Sequence, residues 1–145
     1  MAVRDVLLKE EGSVPYAYQD HLGIWTIGAG FQIDKDHGGR LPDEVRDFWL
    51  DFLIERCKAD LDRNLSWWRG RPDWVQEGLI LMCYQLGISG LLGFSKMLAA
   101  IHAGDYGTAR QEALDSAWAR DQTPARAART AMLYSDKQPE ETATV

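Results

Sequence analysis

The chain has 145 residues, which is enough for one compact domain with its own hydrophobic core. Its hydrophobic fraction of 46% and its charged fraction of 26% are ordinary for a globular protein. The net charge of −6 argues against nucleic acid as a partner. No apolar run approaches the roughly 20 residues of a transmembrane helix, so we expect no membrane insertion.

The N-terminal segment predicts a short amphipathic helix over residues 3–11, which Gly12 is well placed to end. This segment carries charges at Arg4, Asp5 and Lys9, and its apolar part is too short for a secretory signal. We therefore expect the chain to be made and folded in a cytoplasm.

Residues 14–33 predict a β-hairpin followed by a third short strand. The two runs that alternate as strands do are Pro15–Gln19 and Ile24–Ile27, and Gly23 in the turn between them allows a tight reversal. The third strand is expected at Phe31–Ile33.

Two glycines and a threonine mark the second half of this hairpin. Gly28 and Gly30 weaken a strand, so they indicate that backbone or a ligand approaches closely there. Thr26 shares a strand face with Ile24 and Gly28, which we expect to leave room for a water or a sugar.

Glu11, Asp20 and Thr26 form a candidate catalytic constellation. Hydrolysis of an acetal needs one protonated carboxyl, which donates to the leaving oxygen, and one ionised carboxylate. Glu11 follows Val3 and Leu7 at intervals of four residues, which predicts that it lies on the apolar stripe of the first helix, where burial favours a protonated carboxyl. Asp20 lies at a polar turn. Taken singly, the two acids are more simply explained as a helix-end carboxylate and a turn former.

After a polar loop over residues 34–41, the chain predicts helices. A long helix over about residues 42–63 has two adjoining apolar stripes, which suits a helix packed on two sides. The helix over about residues 72–86 is apolar all round at residues 79–84 and is therefore expected to be buried. Further helices are expected over residues 90–103, over residues 106–116 with Asp105 as N-cap, and from Thr123 onward.

The adjacent Trp67 and Trp68 are consistent with a sugar-stacking surface or, more commonly, with the edge of a core. Cys57 and Cys83 lie in apolar helical contexts and are predicted to be buried free thiols. Neither the cysteines nor the histidines have the spacing of metal ligands, and there is no phosphate-binding glycine loop. We therefore expect no metal and no cofactor.

Three motifs follow one another along the chain. The first is Glu-x8-Asp-x5-Thr at residues 11–26, with EEG at its start and TIGAG across its end. The second is YQLG at residues 84–87 followed by Gly93-Phe94, and the third is QTPARA at residues 122–127. Together they resemble the bacteriophage T4-type lysozymes, which are endolysins that cleave peptidoglycan. The resemblance runs from about residue 3 to residue 133.

The resemblance implies roles for the three residues of the constellation. Glu11 is the general acid, Asp20 is the carboxylate that directs the attacking water, and Thr26 holds that water.

Four further positions correspond to the substrate-binding region of the family. Gln32 and Tyr84 fall where the family lines its cleft, and Thr123 lies in the QTPxRA segment. Arg126 resembles the family arginine that pairs with the catalytic glutamate. Two other positions depart from the family pattern: Phe31 where a histidine is frequent, and Leu81 where an asparagine is common.

We therefore predict an α+β fold with a small β-hairpin lobe and a larger helical lobe, joined by a long helix and with a cleft between them. The chain is predicted to be a single domain. Residues 13–62 form the small lobe and the connecting helix, residues 1–12 and 63–134 form the helical lobe, and residues 135–145 form a disordered tail.

The implied reaction is hydrolysis of the β-1,4 bond between N-acetylmuramic acid and N-acetylglucosamine, by single displacement with inversion. Two alternatives stay open. A lytic transglycosylase needs an acid but no water-directing carboxylate. A non-catalytic, wall-binding lysozyme-like protein needs neither.

The expected partner is bacterial peptidoglycan, and the chain is expected to act as a monomer. Without a secretory signal it remains in the host cytoplasm until lysis. The resemblance then implies a separate membrane-permeabilising protein, a holin, that releases it to the periplasm and the cell wall.

Overall fold

The computed structural model describes residues 2–121 and 128–131. The chain divides into two compact units, Met1–Trp49 and Leu50–Val145, and the division falls inside the long helix α2, Asp43–Asn64. Among the described residues, helices predominate and the strands form one three-stranded antiparallel sheet. The predicted α+β class is confirmed.

The first unit begins with helix α1, Val3–Glu11, as the sequence predicts. Gly12 ends the helix with a φ of +82°, and its N–H donates to the carbonyl of Leu8 over 3.0 Å. Glycine favours this position because a positive φ is strained for residues with a Cβ. No residue of α1 is buried.

The sheet follows directly and has the strand order β1-β2-β3, with β1 at Val14–Gln19, β2 at Trp25–Gly28 and β3 at Phe31–Gln32. Tyr18 and Gln32 both lie opposite Thr26, on β1 and β3 respectively. The three strands are present as predicted, but their bounds differ: β1 begins one residue earlier, β2 is shifted by one residue toward the C-terminus, and β3 is one residue shorter.

The second unit contains the hydrophobic core. Its helices after α2 are α3 (Asp73–Leu92), α4 (Ser95–His102), α5 (Tyr106–Leu114) and α6 (Ala117–Asp121), and residues 128–131 are helical. Its largest fully buried side chains are Trp68, Leu61, Leu79, Met82, Leu91, Met97, Ile101 and Val75. Asp105 caps α5 as predicted, because its carboxylate accepts from the backbone N–H of Thr108 over 3.2 Å.

Helix α3 differs from the prediction. Gly87 has the non-helical angles φ +72° and ψ 164°, so the helix breaks there as expected, but helical structure resumes and continues to Leu92. Leu91, which is fully buried, holds this extension on the core. The next helix consequently begins at Ser95 and not at Gly90.

Of the described helices, α3 alone is long and apolar enough to cross a membrane by length and composition. The prediction that no apolar run approaches that length is therefore wrong. The buried residues of α3 belong to the core, but Leu81 and Tyr84 are 48% and 46% exposed, so the helix is not buried all round as predicted.

The two adjacent tryptophans have different surroundings. Trp68 is 1% exposed, and its indole N–H donates to Asp62 Oδ1 over 2.7 Å. Trp67 is half-buried and stacks on the ring of His102, with 4.8 Å between ring centroids. The structure therefore places the pair at the edge of the core.

Candidate active site

Glu11 is the last residue of α1 and lies against the turn between β2 and β3. A Cβ built on Gly30 of that turn would be 2.8 Å from Glu11 Oε2 and 3.5 Å from both its Cβ and its Cδ. A close approach at Gly30 is thus present, but the approaching group is the side chain of the candidate acid and not the backbone or ligand that the sequence predicts.

The predicted burial of Glu11 is wrong, because its side chain is exposed. Val3 and Leu7, which share the predicted apolar stripe with Glu11, are also exposed: their exposed fractions are 74% and 50%. An amphipathic spacing shows which residues share a helix face, but it does not show what covers that face.

An open cavity of about 470 Å³ lies beside Glu11. Its lining residues are Arg4, Leu7, Leu8, Glu11, Ala29 and Phe31. Sequence reasoning did not select Arg4 for the site. Its signal was the interval of seven residues between Arg4 and Glu11, which places both on one face of a helix. The cavity therefore combines an apolar wall with one cation and one carboxylate.

Asp20 ends the first strand of the hairpin and organises the turn. Its Oδ1 accepts the backbone N–H of Leu22 over 2.8 Å and that of Ile24 over 2.9 Å. Its own N–H donates to the carbonyl of Ile24 over 3.0 Å. Oδ2 has no partner among the residues that the structure describes. One carboxylate oxygen thus fixes the side chain, and the other remains able to accept a hydrogen bond.

Thr26 is joined to Asp20 through the backbone of Ile24. The threonine hydroxyl donates to the Ile24 carbonyl over 2.9 Å. The backbone N–H of Ile24 in turn donates to Asp20 Oδ1. Because its proton is committed, the hydroxyl oxygen can act only as an acceptor toward another group. Thr26 is only 3% exposed, so the room for a sugar that the strand pattern predicts at this face is absent.

Gln32 lies directly opposite Thr26 on β3, so the structure brings these two predicted residues together. Gln32 is exposed and lines a second open cavity of about 620 Å³ in the first unit. The remaining wall is mostly apolar, and Arg40 is its only charged side chain.

The loop after β3 is held in place by Asp34. The backbone N–H of Asp36 donates to Asp34 Oδ1 over 2.9 Å and is the main cause that holds the pKa of Asp34 below its usual value. Sequence reasoning did not select this residue.

The other predicted substrate-binding residues lie elsewhere. Tyr84 is on α3 in the second unit and is 46% exposed, so it is not the core aromatic that the helix pattern alone favoured. Thr123 and Arg126 lie outside the described residues. Across residues 2–121 and 128–131, no group of three or more His, Cys, Asp or Glu side chains is arranged to hold a metal ion.

The arrangement in the first unit supplies an exposed carboxyl at a helix end and a separate pair of acceptors at Asp20 and Thr26. Such a combination can donate a proton at one position and orient a water at another, which is what hydrolysis of a glycosidic bond requires.

The sequence matches the phage lysozyme family over residues 8–130, so the chain belongs to that family. This confirms the resemblance that the motifs indicated. Membership supports a lysozyme-like function in the lysis of peptidoglycan.

Among curated proteins, the chain is similar to the pre-baseplate central spike protein Gp5 of Enterobacteria phage T4. The two are 29% identical over 159 residues, which covers 92% of this chain. The same alignment covers 27% of Gp5, so the chain spans about a quarter of that protein's length.

Proposed function

We propose that this protein hydrolyses the β-1,4 bond between N-acetylmuramic acid and N-acetylglucosamine in bacterial peptidoglycan, with inversion at the anomeric carbon. Family membership supports the substrate class. The observation that carries the proposal is the hydrogen-bonded link from Asp20 through Ile24 to Thr26, which occurs in the same unit as a separate carboxyl at Glu11. No cofactor takes part in this reaction.

Glu11 is the proton donor in the proposed reaction. Its carboxyl is exposed at the end of α1, so bulk water can reload it with a proton after each turnover. Donation to the glycosidic oxygen lets the leaving sugar depart as a neutral alcohol.

Asp20 and Thr26 position the attacking water. The water donates one hydrogen to Asp20 Oδ2 and the other to the threonine hydroxyl oxygen, which turns a lone pair toward the anomeric carbon. Asp20 also accepts the proton that the water loses on attack. Both side chains are fixed by backbone hydrogen bonds, so little reorganisation is needed during the reaction.

Four residues are proposed to contact the substrate: Gln32, Tyr84, Thr123 and Arg126. The exposure of Gln32 and Tyr84 supports a binding role for these two. The pairing of Arg126 with Glu11 remains a prediction. So do the monomeric state, release from the host cytoplasm by a holin and action at the cell wall.

The similarity to Gp5 favours a second setting for the same reaction. That protein's name describes a central spike of a pre-baseplate, so we propose as an alternative that this chain acts from a virion. Mass spectrometry of purified virions distinguishes the settings, because an endolysin is absent from the particle and a spike component is present.

Replacement of Glu11 by Gln tests the reaction. The variant keeps the shape of the side chain but has no acidic proton, so lysis of purified peptidoglycan should fall by about 10²–10⁴-fold while the melting temperature is retained. A folded Glu11→Gln variant that lyses near the wild-type rate contradicts the proposal. Products with a 1,6-anhydro ring would instead indicate a lytic transglycosylase.

A further inference from the structure

We propose that Gly30 is a positioning residue for the acid. The Glu11 carboxyl lies in the space that a side chain at position 30 would fill. The inference rests on the proposed role of Glu11 as proton donor, and it assigns a function to a residue that contacts no reacting atom itself.

The contact leaves no room for a side chain at position 30 unless the Glu11 carboxyl moves away. The built Cβ would lie 2.8 Å from Glu11 Oε2, and real Cβ atoms essentially never approach other heavy atoms within 3.0 Å. The same Cβ would touch Glu11 Cβ and Cδ at 3.5 Å, so the glutamate lies along the glycine over most of its length. An alanine would therefore force the carboxyl to another position.

Within the part of the chain that the structure describes, the Glu11 carboxylate has no hydrogen bond and no ion pair, and the side chain is exposed. The predicted partner Arg126 lies outside that part. The turn at Gly30 is thus a described feature that limits where the proton donor lies. Because a misplacement of about 1 Å can cost about 10²-fold in rate, this limit is of catalytic consequence.

A second glycine provides a matched control for backbone strain. Gly30 has a φ of +74°, so an alanine there is strained even without the contact. Gly104, which lies between α4 and α5, has a φ of +79°, but a Cβ on it would meet nothing within 4 Å. The two substitutions Gly30→Ala and Gly104→Ala share the strain, and only the first displaces Glu11.

The first experiment compares these two variants on a soluble peptidoglycan fragment. Both should lower the melting temperature to a similar extent. Gly30→Ala should lower kcat by about 10–100-fold with little change in KM, and Gly104→Ala should leave kcat near wild type. Equal kcat values for the two variants would overturn the inference.

The second experiment is a double-mutant cycle. Glu11→Asp withdraws the carboxyl by one methylene, so it should clear a Cβ at position 30. The kcat loss from Glu11→Asp should therefore be smaller in the Gly30→Ala background than in the wild type. Independent, additive losses would contradict a contact between the two residues.

A third measurement needs no change at position 30 and stays valid if Gly30→Ala does not fold. In the wild-type protein, titration of Glu11 followed by NMR should shift the Gly30 Hα resonances, and Glu11→Gln should abolish that shift. A Gly30 signal that does not respond to this titration would overturn the inference.

Failure of the proposed function has a different signature. A Glu11→Gln variant that retains lysis removes the acid assignment, whatever Gly30 does. An inactive Glu11→Gln variant combined with equal kcat values for Gly30→Ala and Gly104→Ala removes the Gly30 inference alone.

Discussion

The two carboxylate oxygens of Asp20 have different roles: Oδ1 accepts backbone hydrogen bonds, and Oδ2 is proposed to accept one from water. Replacement of one oxygen by nitrogen separates these roles. In Asp20→Asn the retained Oδ1 still accepts the N–H groups of Leu22 and Ile24. The new amide nitrogen cannot accept a hydrogen bond from water. We expect activity to fall by about 10²–10⁴-fold with an unchanged melting temperature, as measured by lysis and thermal unfolding.

Asp34→Asn is the matched control for this substitution, because Asp34 also accepts a backbone N–H next to the sheet and has no proposed catalytic role. It should remain active. Anomeric analysis of early product by proton NMR gives the other check on Asp20. Inversion produces the α configuration, whereas a retained β product would make Asp20 a nucleophile.

The two thiols allow a residue-scale prediction about reactivity. Burial and, to a smaller extent, the neighbouring Cys57 thiol raise the pKa of Cys83 to about 12. At mildly alkaline pH Cys83 therefore has almost no thiolate, and the thiolate is the reactive form. A colorimetric disulfide reagent should react slowly with the native protein and rapidly with both thiols in denaturant. Rapid reaction of both thiols in the native protein would contradict their burial.

At this scale the sequence predicts which residues come together better than it predicts their surroundings. Asp20 and Thr26 are only six residues apart and flank one turn, so the sequence alone places them in the same hairpin. The exposure of Glu11 and the burial of Thr26 depend on groups distant in sequence or across the sheet, which no local pattern contains.

Among the elements, the end of α2 is joined to the turn after it through Asp62. The hydrogen bonds from Arg69 and then Trp68 hold the pKa of Asp62 below 3.8. Because the folded-state pKa is depressed, this stabilisation is present above pH 3.8 and is lost as the pH falls through the lower, folded-state value.

Asp62→Asn should therefore lower the melting temperature at neutral pH, and the difference from wild type should shrink in strong acid. Asp43→Asn serves as the control, since Asp43 is 81% exposed in its pair with Arg46 and should change little at either pH. An Asp62→Asn deficit that stays constant with pH would indicate that the carboxylate charge is not the source of the stability.

Element boundaries follow the sequence where a single residue decides them. Gly12 ends α1 at the predicted position because its φ is positive and its N–H caps Leu8. Gly87 has an equally suitable φ, yet helical structure resumes beyond it, because Leu91 is buried in the core. Tertiary packing thus overrides a local stop signal, and local signals cannot predict that outcome.

For the whole molecule, the net charge of −6 opposes approach to an anionic wall, whereas a group of arginines favours it. Of this group, Arg120 and Arg129 are exposed, Arg110 is half-buried, and Arg126 lies outside the described residues. We predict that these arginines face the wall, so added salt should slow lysis. The Debye length shrinks from about 30 Å at 0.01 M salt to about 10 Å at 0.1 M, which weakens the attraction.

Removal of residues 136–145 sharpens this test. It deletes three acids and one lysine, so the net charge changes from −6 to −4. The low-salt lysis rate should rise further in the shortened chain. A rate that climbs steadily with sodium chloride in both chains would contradict the proposed arrangement of charge.

The hydrogen-bonded link through Ile24 has a consequence for how the chain folds during its synthesis. Asp20, Thr26 and Gly30 belong to one meander, and Glu11 precedes Gly30 by only nineteen positions (30 − 11). Contacts between such near neighbours close short loops, which form within microseconds and cost little chain entropy. The ribosome adds residues far more slowly, at about 5–20 per second. The geometry of the candidate site can therefore be sampled on the nascent chain before the second unit exists.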